Sequence, residues 1–259
     1  MKTKAAKLFF ICVLFSMDNF SFAQKNIVIS DSLAANADKF NVKMGSQGFG
    51  KIWKMHFGDY SVVSSKMHWT TNSTKGNLFN TKTESKSTQK FSFVFSDKTD
   101  TANVNAAQNI LTESLREIEI IRHLLRGTDE LVKKTNNFTA FITVNGDTTD
   151  TWALFMNVTG GTKPEGVNDA FLSNGNRKII LKSVTSGESG GNNMFSMAAE
   201  GYEFIENGHS LAALQYTAGP IATNKNIVWI NRGPDSKMKL ILAAAQTAIL
   251  QIKATPQGY

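Results

Sequence analysis

The chain predicts an α+β domain, mainly antiparallel β, in which a barrel or strongly curved sheet packs around a hydrophobic C-terminal helix at about 236–252. Three observations carry that expectation. Asn145-Gly146, Asn174-Gly175 and Asn207-Gly208 each lie between apolar stretches, and both residue types tolerate the positive φ of a tight hairpin turn. The flanking segments alternate apolar with polar side chains, the period of half-buried strands. From Leu240 to Leu250 the last segment is apolar or small around nearly its whole circumference, with Gln246 and Thr247 the exceptions. A helix without a polar face must be surrounded on all sides, and a many-stranded sheet wrapped around it meets that need.

Taken in order, residues 1–23 read as a secretory signal. Lys2, Lys4 and Lys7 form a positive start, Leu8 to Phe15 a short apolar run, and Ser21-Phe22-Ala23 a cleavage-site pattern. The apolar run is too short to span a bilayer. The single cysteine, Cys12, falls inside this segment, so the domain expected at 24–259 has neither disulfides nor thiolate ligands and must be held by core burial. Export without bridges points to a bacterial periplasmic or secreted protein.

A first hairpin is expected at Gly58-Asp59, placing Trp53, Met55, Phe57, Tyr60 and Val62 on one face. Residues 71–89, rich in Thr, Ser, Lys and Asn, read as a long exposed hairpin or loop, followed by a strand at Lys90–Phe95. Near 104–134, Ile110, Leu111, Leu115, Ile118, Ile121, Leu124 and Leu125 recur at helical spacing, which predicts a helical insertion stopped by Gly127. The alternation in Ile118–Ile121 also admits a strand there.

Strands then follow on both sides of Asn145-Gly146, at Arg177–Thr185, on both sides of Asn207-Gly208 and at Asn226–Ile230. For the Asn207-Gly208 hairpin, a two-residue loop pairs Glu206 with His209, Phe204 with Leu211 and Tyr202 with Ala213. Residues 185–193, Thr-Ser-Gly-Glu-Ser-Gly-Gly-Asn-Asn, read as a mobile loop. Asp235 or Ser236 caps the final helix.

The formal charge is +7, and loss of Lys2, Lys4, Lys7 and Asp18 with the signal leaves +5. There is no run of five basic residues, and the excess reads as spread along the chain. Nucleic acid is therefore not an expected partner.

The strand pair Gly201–Tyr216, the strand Lys225–Ile230, the Gly233-Pro234-Asp235 turn and the terminal apolar helix resemble the end of the tubby/LURP-one/phospholipid-scramblase-like superfamily. The resemblance covers roughly the last quarter of the chain and is one of order and pattern. It implies a closed antiparallel barrel threaded by its C-terminal helix, and a role in lipid binding or membrane apposition. It transfers no individual residue, and the insertion near 104–134 departs from it.

Candidate chemistry is sparse. Gly187-Glu188-Ser189-Gly190-Gly191 fits the G-x-S-x-G turn of a nucleophilic serine and resembles the Gly-Asp-Ser-Gly-Gly of chymotrypsin-like proteases. His68, with Asp97 or Asp100, precedes Ser189 in the order a protease needs, and His209 is the base in a hydrolase-like arrangement. Against this, His68 lies in Lys66-Met67-His68-Trp69 without small flanking residues, and only 68 residues follow Gly191. A Gly/Ser-rich surface loop produces such a pentapeptide without catalysis.

His56 and His68 lack a third ligand at metal spacing, and His123 and His209 read as ordinary polar groups. Gly45-Ser46-Gln47-Gly48-Phe49-Gly50 has no Walker lysine and leads into a hairpin, so it reads as a turn. No cofactor motif is present. The sequence is thus read as a non-enzymatic exported protein that binds a membrane lipid, another apolar ligand or an envelope protein at a rim or outer face. A secreted serine hydrolase using Ser189, His68 and Asp97 is the alternative.

Overall fold

The computed structural model describes residues 26–68, 71–75, 84–108, 137–157, 170–186, 199–216 and 226–254. A short helix α1 (Asp31–Asn36) leads into β1 (Ala37–Asn41), β2 (Lys43–Gln47), β3 (Trp53–Phe57), β4 (Tyr60–Met67), β5 (Thr71–Lys75), β6 (Glu84–Ser96) and β7 (Thr101–Gln108). The rest of the sheet is β8 (Asn137–Val144), β9 (Trp152–Asn157), β10 (Ala170–Ser173), β11 (Lys178–Thr185), β12 (Glu200–Glu206), β13 (His209–Tyr216) and β14 (Ile227–Asn231). Helix α2 (Ser236–Ala254) ends the described chain.

All neighbouring strands are antiparallel, in the order β1-β14-β13-β12-β11-β10-β9-β8-β7-β6-β4-β3-β2, with β5 paired to β6. The two ends of that list, β1 and β2, are separated in sequence by Val42 alone. β1 pairs with β14 through Ala37↔Asn231 to Asn41↔Ile227, while β2 pairs with β3. One extended stretch therefore serves both edges of the sheet, and the Val42 N–H donates to the Asn226 carbonyl at 2.9 Å where it changes partner. The sheet curls into a nearly closed barrel, which leaves little unpaired edge.

Helix α2 fills the bore. Every residue from Leu240 to Ile252 is buried. It packs in one cluster with inward side chains of the wall, including Phe57, Phe95, Phe138, Trp152, Phe204 and Val228. Small side chains at Ala243, Ala244, Ala245 and Ala248 keep the helix narrow where wall aromatics are large. The Asp235 carboxylate caps its start by accepting from the Met238 N–H at 2.7 Å.

The polar residues on this helix are stitches to the wall. The Gln246 amide donates to the carbonyls of Ala213 (2.8 Å) and Trp229 (3.3 Å), and Gln251 accepts from the Trp53 N–H at 3.1 Å. Thr247 returns its hydroxyl to the Ala243 carbonyl within the helix. Most buried polar groups in folded proteins find such a partner.

A second, smaller core lies outside the barrel. Ile27, Leu33 and Ala37 pack on the outward side chains Ala213, Ile227 and Trp229. Two side chains fix this strap: Gln215 accepts from the Ile27 N–H and Glu203 from the Ser30 N–H, both at 3.0 Å. Burial raises the Glu203 pKa, but hydrogen bonding from Ser30 helps to outweigh it, and the carboxyl lies below its ordinary value.

Three local expectations are corrected. Asn207 and Gly208 have φ of 50° and 80°, the two-residue turn predicted, and Glu206 does face His209. A bulge between Phe204 and Ile205 then shifts the ladder, so Phe204 pairs with Ala212 and Tyr202 with Leu214. Phe204, Ala212 and Leu214 therefore face the bore, and Ala213 faces the strap.

The other two Asn-Gly pairs sit in longer connections. Asn145-Gly146 is followed by a short 3-10 turn at Thr148–Asp150, and Asn174 closes its loop by accepting from the N–H groups of Asn176 and Arg177. Finally, Thr101–Gln108 is strand β7 with Ala102, Val104 and Ala106 buried, so an insertion beginning at Val104 is displaced. The helical segment expected beyond it, at 109–134, lies outside the described residues.

Candidate binding surface

The barrel has two unlike ends. At one, short turns gather the carboxylates of Asp59, Asp97, Asp100, Asp147, Asp150 and Asp235. Most are already engaged. Asp59 pairs with Lys98, Asp147 and Asp150 with Lys237, and the nearby Glu206 binds Arg177 through two oxygens at 2.7 and 2.8 Å. Hydrogen bonds from Thr149 lower the Asp147 pKa. Arg177 does the same for Glu206, whose own bond raises the guanidinium in return. A shallow cleft of about 310 Å³ at this rim is lined by Arg177, Leu211, Asn231, Gly233, Pro234, Asp235 and Met238. Its charges are paired in a structural network, which perturbs pKa values without implying catalysis.

The opposite end carries the turn between β2 and β3. Gly48, Phe49 and Gly50 form its tip, and Phe49 is 96% exposed. The tip is held by three hydrogen bonds. The Lys51 N–H donates to the Gly48 carbonyl at 3.1 Å, and the Met67 N–H to the Gly50 carbonyl at 2.7 Å. The Gln47 amide donates to the Lys51 carbonyl at 3.2 Å. Gly50 adopts φ of +67°, where a side chain would strain the backbone.

Around this tip the charge is lopsided. Residues 39–83 carry seven lysines and a single carboxylate, Asp59, which sits at the far end and is bound by Lys98. Strand pairing brings the spread-out lysines together. Lys66 adjoins the Met67 amide that holds the tip and Lys54 lies beside Gly45, whereas Lys43, opposite His56, sits nearer the Gly58-Asp59 turn at the far end. Lys43, Lys51, Lys54 and Lys66 are all exposed. Lysines spread along the chain thus meet near the tip: Lys51, Lys54 and Lys66. Spacing of three to twelve residues hid their proximity from a search for basic runs.

Further apolar groups face outward. Val63 is extruded by a bulge between Val62 and Ser64 and is 61% exposed. On β9 and β10, Phe155 and Phe171 point away from the bore but are buried, stack with centroids 5.5 Å apart, and continue the row to Ile180, which is 36% exposed. A shallow polar groove of about 390 Å³ runs outside β4, β6 and β7 past Ser64, Lys66, Ser92, Asn103 and Asn105.

The residues named for a hydrolase are not brought together. His68 and Asp97 lie at opposite ends of the β4–β6 pair, which runs from Met67↔Phe91 to Ser61↔Ser96. Six residues of strand separate them by about 20 Å. The Asp97 carboxylate instead accepts from the N–H groups of Thr99 and Asp100 and closes its own turn, while the Asp100 carboxylate accepts from Asn145 at 2.6 Å. His209 begins β13 at the acidic end. Ser189 and His123 lie outside the described residues.

His56 is exposed beside Lys43, as a polar-face strand residue. Among the described residues no three His, Cys, Asp or Glu side chains could hold a metal ion, and no helix is long and apolar enough to cross a membrane. No known family model, curated protein or solved structure matches this chain.

Proposed function

We propose that this is an exported, non-enzymatic binding protein of the bacterial cell envelope whose ligand is a lipid or another apolar molecule held on the outside of the barrel. The observation that carries this reading is the filled bore. With every residue of Leu240–Ile252 buried against the wall, the interior offers no space for the ligand that small barrels often enclose. Among the described residues, large apolar groups available to a partner are external: Val28, Phe49, Val63 and Ile180. A lipid-directed role is also what the resemblance to the tubby-like superfamily implies, and that kinship is part of the proposal.

Native mass spectrometry after mild extraction, together with vesicle flotation, tests the reading. The expected result is a co-purifying apolar ligand or co-flotation with vesicles. A protein that carries no ligand and stays at the bottom of the gradient with every vesicle composition contradicts it.

A further inference from the structure

We propose that the Gly48-Phe49-Gly50 tip is the element that docks this barrel onto an anionic lipid bilayer, with the Phe49 ring entering the interface and Lys51, Lys54 and Lys66 contacting the acidic headgroups. This rests on the reading that the ligand is lipid, and it names the site and the lipid class.

A single exposed apolar side chain needs no explanation by itself. Phe49 differs in being held out. Its two neighbours are glycines that offer no side-chain cover, and three hydrogen bonds pin the turn to Lys51 and Met67. An aromatic on a tight, hydrogen-bonded turn enters a membrane interface with less ordering cost than one on an open loop. Aromatic rings favour that interfacial depth.

The charges fit the same partner. Lys51 lies at the tip, β3 and β4 add Lys54 and Lys66 and hold no carboxylate, and the acidic turns face the other way along the barrel axis. An anionic surface attracts each such lysine, an attraction that falls off over a Debye length. The barrel would therefore approach with its basic end leading and its acidic end in solvent. A neutral apolar partner explains the aromatic tip but gives no role to the lysines. A soluble anion explains the lysines but gives none to the ring.

The test uses the chain without residues 1–23 and two sets of large vesicles, one of phosphatidylcholine alone and one of phosphatidylcholine with phosphatidylglycerol. The unaltered protein is expected to float with the anionic vesicles, to stay behind with the neutral ones, and to be released by raised salt. Because Phe49 contacts no core residue, Phe49→Ser should fold normally and bind the anionic vesicles about tenfold more weakly. The triple variant Lys51→Glu, Lys54→Glu, Lys66→Glu should not bind.

Phe49→Cys carrying an environment-sensitive fluorophore should shift to the blue on anionic vesicles, which reports insertion independently of affinity. Unchanged binding of Phe49→Ser, with no shift of the probe, overturns the tip as the anchor while leaving lipid binding intact. Failure of the unaltered protein to bind either vesicle overturns both the site and the lipid reading, and equal binding to both overturns the anionic class.

Discussion

Replacing Ala245 by aspartate is expected to abolish the folded state. Ala245 is fully buried on a helix that is itself enclosed by the wall, so the new carboxylate has no solvent to reach. Moving a charge into such a site costs several kcal/mol after relaxation, and its protonated form still lacks a donor or acceptor. A domain stabilised by about 5–15 kcal/mol overall loses most of that margin. The larger side chain must also fit where alanine was selected for narrowness. Thermal unfolding followed by circular dichroism should show no cooperative transition. A melting temperature within a few degrees of the parent would mean that the helix has a free face.

Gly201→Ala is expected to have the second largest effect. A Cβ at this position would lie 2.1 Å from the Leu214 carbonyl oxygen and 2.8 Å from the Ile27 side chain. The first is backbone and cannot step aside without parting β12 from β13. The second belongs to the strap that covers the outer core. Overpacking of this kind costs about 1–3 kcal/mol, here at the upper end or beyond, and lowers the melting temperature by roughly 5–10 °C for a chain of this size.

Gly146→Ala supplies the comparison. Gly146 has φ of +75° but nothing within 4 Å, so alanine there meets only backbone strain of about 1 kcal/mol. Equal losses for the two variants would show that crowding at the strap contributes nothing.

Much of the fold was legible in the chain because its two periods are strongly expressed. Met55, Phe57 and Val62 face the core as alternation predicted, and the helix without a polar face is the one the sheet encloses. Gln246, which looked like an exception in that helix, is a stitch to two wall carbonyls. What was lost was local. Alternation does not announce a bulge, so the ladder beyond Ile205 slipped by one residue. The small and polar residues of Thr101–Gln108 satisfy either period, and pairing with β6 and β8 decides for strand.

The candidate surface was less legible for a related reason. The tip at Gly45–Gly50 was readable as a turn, but the exposure of Phe49 depends on what does not cover it. The lysine cluster depends on strand pairing that brings Lys66 beside Lys51 and Lys54, twelve or more residues earlier. The His68–Asp97 pairing failed because order along the chain carries no distance.

Hydrogen exchange of the backbone amides in Leu240–Ile252 tests the enclosure of the helix, and with it the placement of all binding on the exterior. The account predicts that these amides exchange only with global unfolding, among the slowest in the protein. Exchange within minutes under native conditions, while the strand amides stay protected, would contradict it, since the bore would then be open to water and to ligands.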